Sequence, residues 1–360
     1  MASLTGVAIT SRKIVRYLIY LTIVILTARF VFNIGTSAYR YIFPPKVDPP
    51  TKTFGKLPKI VFQERSFPND LTFILETPNG TLPEFPDRTE VYSIPPIIQN
   101  IQDLETAKTK ARALGFNPEG KLIVESVPNV YIFDKGKVPS TLTMNIITKV
   151  FSISYDLSLD PFLIGNGVSM APDSAISFAR SYLSKGGFLT PDLKNSPATT
   201  TLLRMEKGEF VPAISLSEAN LIKVNLFRKN LGTSGKEGDV GLPSVTADMP
   251  ESNVWFLLSG KGGKDIIAAE YHLFPLDEKK SGTYPIKSAN QAWEKLNAGE
   301  AYLANLGDNE NKRITIRKVY LAYYDAGLYT KYYQPVIVFE GDNDFYAFVV
   351  AIPDEEYERN

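Results

Sequence analysis

The chain holds one histidine, His272, and no cysteine. His272 lies in the run Ile266-Ile267-Ala268-Ala269-Glu270-Tyr271-His272-Leu273-Phe274, where strand alternation sets it beside Glu270 and away from Ala269, Tyr271 and Leu273. An imidazole next to a carboxylate can act as a general base. It then needs a nucleophile, and no Gly-x-Ser-x-Gly elbow or other linked set accompanies it. The expectation is a half-exposed strand histidine. The lack of cysteine excludes thiol catalysis, disulfides, cysteine-based zinc sites and a cysteine-anchored lipoprotein.

Two further patterns carry potential chemistry. Ser259-Gly260-Lys261-Gly262-Gly263-Lys264 has glycines and lysines suited to a phosphate, but a Walker loop ends in Gly-Lys-Ser/Thr at a helix start. Strand-like runs flank this one, so it reads as a hairpin turn. Asp308-Asn309-Glu310-Asn311 and Asp342-Asn343-Asp344 offer hard oxygen ligands, with Asp342 and Asp344 spaced as in a calcium loop. The glycine and distal glutamate of such a loop are missing, so solvated hairpin ends are expected. No catalytic residue, metal or cofactor is expected. Asn79-Gly80-Thr81 matches a glycosylation sequon, and the turn Pro78-Asn79-Gly80 accounts for the same residues.

Tyrosines crowd the C-terminal part: Tyr320, Tyr323, Tyr324, Tyr329, Tyr332 and Tyr333. On a strand Tyr320 and Tyr324 share a face opposite Tyr323, so one face can be core while the other presents aromatic surface. Tyrosine joins apolar area to a polar tip, which suits a protein-binding surface, although cross-strand aromatic pairs also stabilise sheets. Tyr320, Tyr324 and Tyr329 are candidate protein-binding residues.

The elements that must hold these side chains follow from composition and pattern. With 360 residues, the chain has length for about two or three domains. Its 39 basic and 39 acidic residues cancel, which argues against nucleic acid, and 44% apolar content excludes bulk disorder. The charge is unevenly placed. Residues 1–43 hold Arg12, Lys13, Arg16, Arg29 and Arg40 and no acid. Between Arg16 and Arg40 runs YLIYLTIVILTARFVFNIGTSAY, which as a helix would span roughly 34 Å against a hydrocarbon core of about 30 Å. Residues 17–39 are therefore expected to form a transmembrane helix. The rivals are a cleaved signal peptide, because Thr36-Ser37-Ala38 loosely fits a cleavage site, and a buried core helix, although nothing polar lines a second face. Arg29, past the middle of the span, can snorkel to headgroups or meet a partner, which makes it a fourth candidate protein-binding residue. The basic counts on the two sides nearly tie, and the short N-terminus favours residues 1–16 in the cytoplasm and the bulk outside it.

Residues 40–53 read as a proline-rich tether, with the folded part starting near Phe54. Strand-like runs at Ile60-Val61-Phe62 and Leu71–Leu75 lead into a helix from Leu104 to Leu114, ended by Gly115. A meander follows at Lys121–Glu125, Val130–Asp134, Leu142–Thr148 and Val150–Tyr155. A second helix, capped by Asp173 and stopped at Gly186-Gly187, precedes strands at Thr200–Met205, Glu209–Val211, Leu221–Phe227, Val254–Leu258 and Ile266–Phe274. The stretch 231–252 reads as a long loop. In the third unit Ser288 and Gln291 form a capping box, and Gly299 ends the helix. Strands at Arg313–Tyr324, Tyr333–Glu340 and Phe345–Ile352 complete it. The expected class is α+β, with repeated helix-plus-antiparallel-meander modules at 54–157, 158–283 and 284–360.

The segments AWEKLNAGEAYLANLG, ITIRKVYLAYYDAG and YYQPVIVFEGDNDFYAFVVAIPD within Ser288–Ile352 resemble the C-terminal domain of membrane-anchored YycI-type regulators and, more distantly, PepSY-like modules. The anchor, the FGKLPKI start and NVWFLLSG also make the chain similar to an uncharacterised group of single-pass membrane proteins from small-genome bacteria. The resemblance implies an extracytoplasmic domain acting by protein contact, and membrane-embedded partners of the kind that would meet Arg29. The expected function is a non-enzymatic, membrane-anchored envelope protein, a regulator or assembly scaffold, binding membrane lipid through its helix and an envelope protein partner. The alternative is an extracytoplasmic hydrolase or hydrolase inhibitor, with 231–252 as a lid.

Overall fold

The computed structural model describes residues 4–42, 49–68, 70–122, 128–160, 163–164, 170–232, 241–259, 266–309 and 312–358. They form two compact units, one ending at Pro49 and one beginning at Pro50. The first is a single helix, α1 (Leu4–Ile42). Its stretch Arg16–Thr36 is long and apolar enough to cross a membrane, with a mean hydropathy of 1.9. Every side chain from Arg16 to Gly35 is exposed. The hydroxyls of Thr22 and Thr27 donate back to the carbonyls of Leu18 and Ile23 at 2.9 and 2.8 Å, which hides their polarity within the helix. The expected tether 40–53 divides three ways. Residues 40–42 continue the helix, 43–48 lie outside the described residues, and Thr51 belongs to the fold. Its backbone N–H donates to the Thr283 hydroxyl at 2.8 Å, so the folded part starts slightly before Phe54.

The second unit is α+β and mostly sheet. Between β1 (Thr72–Leu75), β2 (Arg88–Ser93) and the strands that follow stands α2 (Asp103–Ala113). Ala107 and Ala111 on α2 are small enough to let the helix lie close against the sheet, and both are fully buried. Next come β3 (Lys121–Leu122), β4 (Val130–Lys135), β5 (Val138–Asn145) and β6 (Phe151–Tyr155), each pairing with the next. Helix α3 (Pro172–Lys185) starts at Pro172 after Ala171, so Asp173 sits inside the first turn and does not cap it. After the short α4 (Pro191–Lys194) run β7 (Ala198–Glu206), β8 (Glu209–Pro212), β9 (Leu221–Leu226), β10 (Ser244–Thr246), β11 (Val254–Ser259) and β12 (Ile266–Tyr271). Strand β6 pairs with β12, which fuses the strands from β3 to β12, β10 excepted, into one nine-stranded antiparallel sheet, order β3-β4-β5-β6-β12-β11-β9-β7-β8.

Helices α2 and α3 cover one face of this sheet and hold each other at their C-termini. Lys110 Nζ donates to the carbonyls of Gly186 and Gly187 at 3.0 and 2.9 Å, and the Tyr182 hydroxyl donates to Leu114 O at 3.0 Å. These contacts satisfy carbonyls that a helix end leaves without partners. Phe133, Leu142, Phe151, Ile222, Phe256 and Leu258 fill the space beneath them. Each such side chain contributes about 1.5–3 kcal/mol by leaving water.

The remaining strands are β13 (Asp277–Pro285), β14 (Tyr302–Asn305), β15 (Arg313–Asp325), β16 (Tyr332–Gly341) and β17 (Tyr346–Val350), with α5 (Ala289–Asn297) before β14. The expected capping box closes α5. The Ser288 hydroxyl accepts from Gln291 N at 3.2 Å, and the Gln291 side chain accepts from Ser288 N at 2.9 Å. The main path of this second sheet is β1-β15-β16-β17-β14, with β10 also on β15 and β2 joining β16 to β13. Strands β1 and β10 both run parallel to β15.

This topology departs from the expected meanders. The first strand after α5, β14, pairs with the last, β17, whereas β3 after α2 pairs with its successor β4. Sheet membership also crosses the expected boundaries at 157/158 and 283/284, because β1, β2, β10 and β13 join the sheet built by the C-terminal strands. The stretch 231–252, expected as one loop, carries β10 within it, with Leu242, Val245 and Ala247 buried. Residues 233–240 lie outside the described residues. Ile60-Val61-Phe62 is not a strand; Ile60 and Phe62 pack against the core by a different route, given below, while Val61 is exposed.

Candidate functional site

Strand β15 holds the expected aromatic face, and both of its faces are covered. Val319, Leu321 and Tyr323 pack into one core cluster, Ala322 and Tyr324 into another on the opposite side. Phe62, from the lead-in segment, lies 4.9 Å from the Tyr324 ring and stacks on Tyr302 at 4.5 Å, centroid to centroid. Tyr324 is only 5% exposed, so it is core and not a binding surface. Burial pushes its phenol pKa up, with the neighbouring Tyr302 adding to the shift. Tyr320 is half-buried, with Lys318 Nζ 4.5 Å above its ring and Glu340 nearby. Burial and then the Glu340 charge hold its pKa far above the ordinary value. Tyr329 alone of the three is exposed, at 39%, edge-on to Phe274. The structure therefore does not gather Tyr320, Tyr324 and Tyr329 into one surface. Arg29 lies on the exposed surface of α1.

The remaining sequence candidates are accounted for locally. His272 Nε2 sits 2.9 Å from Glu270, both partly exposed, as alternation predicts. Strands β11 and β12 pair on either side of residues 260–265, which lie outside the described residues. Asp342 is gripped by Arg317 through two bonds of 2.8 and 2.7 Å, and the same guanidinium takes Glu76 at 2.7 Å. The Arg317 bonds hold the Asp342 pKa below the usual carboxylate range. Arg317 thus holds the carboxylate of Asp342, one of the two aspartates that suggested calcium. Of the acidic turn at 308–311, residues 310 and 311 lie outside the described residues.

Sequence reasoning missed a buried cluster of charges centred on Arg228. Arg228, just past β9, is 2% exposed. Its Nη1 reaches Asp192 at 2.5 Å, its Nε reaches Asp325 at 2.6 Å, and its Nη2 donates to Phe274 O at 2.6 Å. The guanidinium also faces the Tyr333 ring at 5.5 Å. Burial disfavours the charge, but Asp325, Tyr333 and Asp192 outweigh it and raise the arginine pKa further. The rigid fork of arginine suits three acceptors at fixed positions, which a lysine ammonium would not. No spacing motif marks these residues, which come together from four separated segments.

Arg228 also lines a cleft of 480 Å³ that runs along the outer edge of β15. Its lining includes Glu84 and Phe85, Leu242 to Val245 and Met249, and Lys318 to Leu321 from β15. The lining is largely apolar, with a few polar groups at its margin, a composition suited to binding. Two sequence candidates meet here: Tyr320 and the second half of the stretch 231–252.

No protein-family model matches the chain, and no curated protein matches it. The chain is similar to the crystal structure of an uncharacterized protein from Eubacterium rectale ATCC 33656, at 12% identity and a TM-score of 0.41. The match covers 77% of this chain and 87% of that one. A likeness so loose bears on neither fold nor function.

Proposed function

We propose that this protein is anchored in a membrane by α1, with its N-terminus in the cytoplasm and the unit from Pro50 outside it, and that it works by binding another envelope protein as a regulator or assembly scaffold. One observation carries the reading: the chain joins an apolar helix with uncovered side chains to a separate compact unit that begins at Pro50. A helix of that kind is costly in water and stable in lipid. The compact unit supplies an apolar cleft. Its ionisable side chains among the described residues are Glu84, Arg228, Lys318 and Tyr320, and Arg228 is already held by two carboxylates. That composition favours contact over catalysis and leaves the hydrolase alternative without a supporting observation.

The finer parts of the reading have their own support. The helix-then-strands order recurs three times, and α2, α3 and α5 are each followed by a glycine of positive φ, at Gly115, Gly187 and Gly299. Repeated modules of one α+β type, and a C-terminal module of YycI or PepSY kind, fit that recurrence. Protease added to intact spheroplasts tests the topology, and removal of the large unit is expected; a fully protected unit would reverse the orientation. Crosslinking in native membranes, followed by identification of the crosslinked protein, tests the binding role. A chain that crosslinks only to itself or to lipid would end that reading.

A further inference from the structure

The outer edge of β15 is paired at its two ends and open between them. Strand β1 pairs with Arg313–Ile316, and β10 with Tyr323–Asp325. The last bond on the β1 side runs from Glu76 N to Ile316 O at 2.9 Å, and the first on the β10 side from Tyr323 N to Pro243 O at 2.8 Å. Among the described residues, nothing pairs with 317–322 on that edge.

The direction of the backbone groups follows from Tyr323. Its N–H faces β10, and its partner across the β16 ladder is Pro335, which has no N–H to exchange. In an antiparallel pair, residues facing the partner alternate with residues facing away. Tyr323 faces away from β16, so Leu321 and Val319 do too. Their two N–H and two C=O groups point into the cleft, and among the described residues no backbone group meets them. Val319 is 7% exposed and Leu321 3%, so little of either residue meets solvent. Backbone polar groups in that position are ordinarily paired. The side chain of Asn230, at the same cleft, adds a buried Oδ1 without a partner.

We propose that this cleft is a strand-docking slot, which takes an extended apolar peptide segment of the partner protein into the gap between β1 and β10. The inference rests on the protein-binding reading and names its kind of partner. Six residues of β15 span roughly 20 Å at about 3.3 Å per residue, room for a short strand in line with β1 and β10. Pairing with Val319 and Leu321 supplies affinity through the main chain. The walls set the sequence. Phe85 and Leu242 belong with the core on the Val319 side, Tyr320 and Met249 with the core on the other. A segment apolar on both faces is therefore selected over an alternating one, as for any strand buried on both sides.

The test uses the full-length chain in nanodiscs and backbone hydrogen exchange. The probe is a capped peptide of alternating valine and isoleucine, with aspartate and lysine at its ends for solubility. Its control carries N-methyl groups on alternate amides. In the free chain, the amides of Val319 and Leu321 should exchange much faster than those of Tyr320 and Ala322, which face β16. The probe should slow Val319 and Leu321 at least about tenfold, and the N-methylated control should not. Val319→Pro removes a slot-facing donor without touching the β16 ladder and should abolish probe binding. Met249→Glu places a charge on the wall and should do the same if the proline variant fails to fold. Equal slowing by the control overturns the proposal. So does protection of both amides in the free chain, whether constant (the slot filled by this chain) or rising with protein concentration (a second copy). If the probe fails while partner crosslinking in membranes persists, the slot is wrong and the binding role stands. Loss of both removes the role itself.

Discussion

Arg228 Nε stands 2.6 Å from Asp325 Oδ2, and this contact ties the two sheets together. Arg228 follows β9 of the nine-stranded sheet, and Asp325 ends β15 of the other. Asp192 and Phe274 O hold the same guanidinium from two further segments, so one side chain fixes four pieces of backbone.

Arg228→Ala should therefore cost about 3–5 kcal/mol, since it leaves two buried carboxylates without a counter-charge. Arg228→Lys should recover only part of this, because one ammonium does not match three fixed acceptors. Adding Asp192→Asn and Asp325→Asn to Arg228→Met should recover more than lysine does. Urea unfolding of the full chain in micelles measures all three. A loss below about 1 kcal/mol for the alanine variant would show that the knot is not a fastening.

Alkaline pH should unfold the large unit through its buried phenols. Burial, then the Glu90 charge, pushes Tyr92 up to about 12; burial, then Glu340, does the same for Tyr346. A group whose pKa is raised by folding stabilises the fold fully below its unfolded value and loses that contribution as pH climbs through the folded one. The window thus opens near pH 10 and closes above about 12. Tyrosinate absorbance for these residues should rise in step with loss of the circular dichroism signal. Tyr346→Phe should make the decline shallower. Full ionisation of the tyrosines before any structural change would contradict the burial described here.

The sequence made the local devices readable and the long-range ones not. The α5 capping box needs only Ser288 and Gln291, three residues apart, and it forms as expected. Alternation placed Tyr320 and Tyr324 opposite Tyr323, which is also observed. It could not reveal that Phe62, more than two hundred residues earlier, would cover the Tyr324 face. Strands β2, β10, β13 and β14 were missed for a related reason. DEKKSGTYP in β13 has almost no β-forming side chains, and its strand state comes from pairing with β2. The slot beside Val319 depends on where two distant strands stop.

Gly307→Ala should destabilise the turn between β14 and β15. Gly307 has φ +64°, and a Cβ there would come to 1.6 Å from Asn343 O. The two turns, 305–309 and 341–344, are otherwise joined by Asn309 Nδ2 donating to Asp342 O at 3.0 Å. Backbone strain of this kind costs about 1–3 kcal/mol, and here the clash with main chain adds to it. Thermal unfolding of the variant should show a lowered midpoint. An unchanged midpoint would mean that the two turns are free to separate.

Recognition in the membrane and recognition outside it can be separated with two exposed residues. Arg29 is the one charge within the apolar stretch Tyr17–Tyr39, where an arginine costs about 2.5–3.5 kcal/mol near a helix centre. Arg29→Leu should therefore insert at least as well as the native helix. If the charge meets a partner in the membrane, partner crosslinking should fall in this variant while insertion holds. Tyr329 is the matching probe outside, because its exposed ring can change to serine without opening the core. Tyr324→Ser cannot serve, since removing most of a buried aromatic costs about 3–5 kcal/mol and would confuse unfolding with lost contact. Crosslinking that survives Arg29→Leu and fails with Tyr329→Ser, in a chain of native stability, would assign recognition to the folded unit; the reverse pattern would assign it to α1.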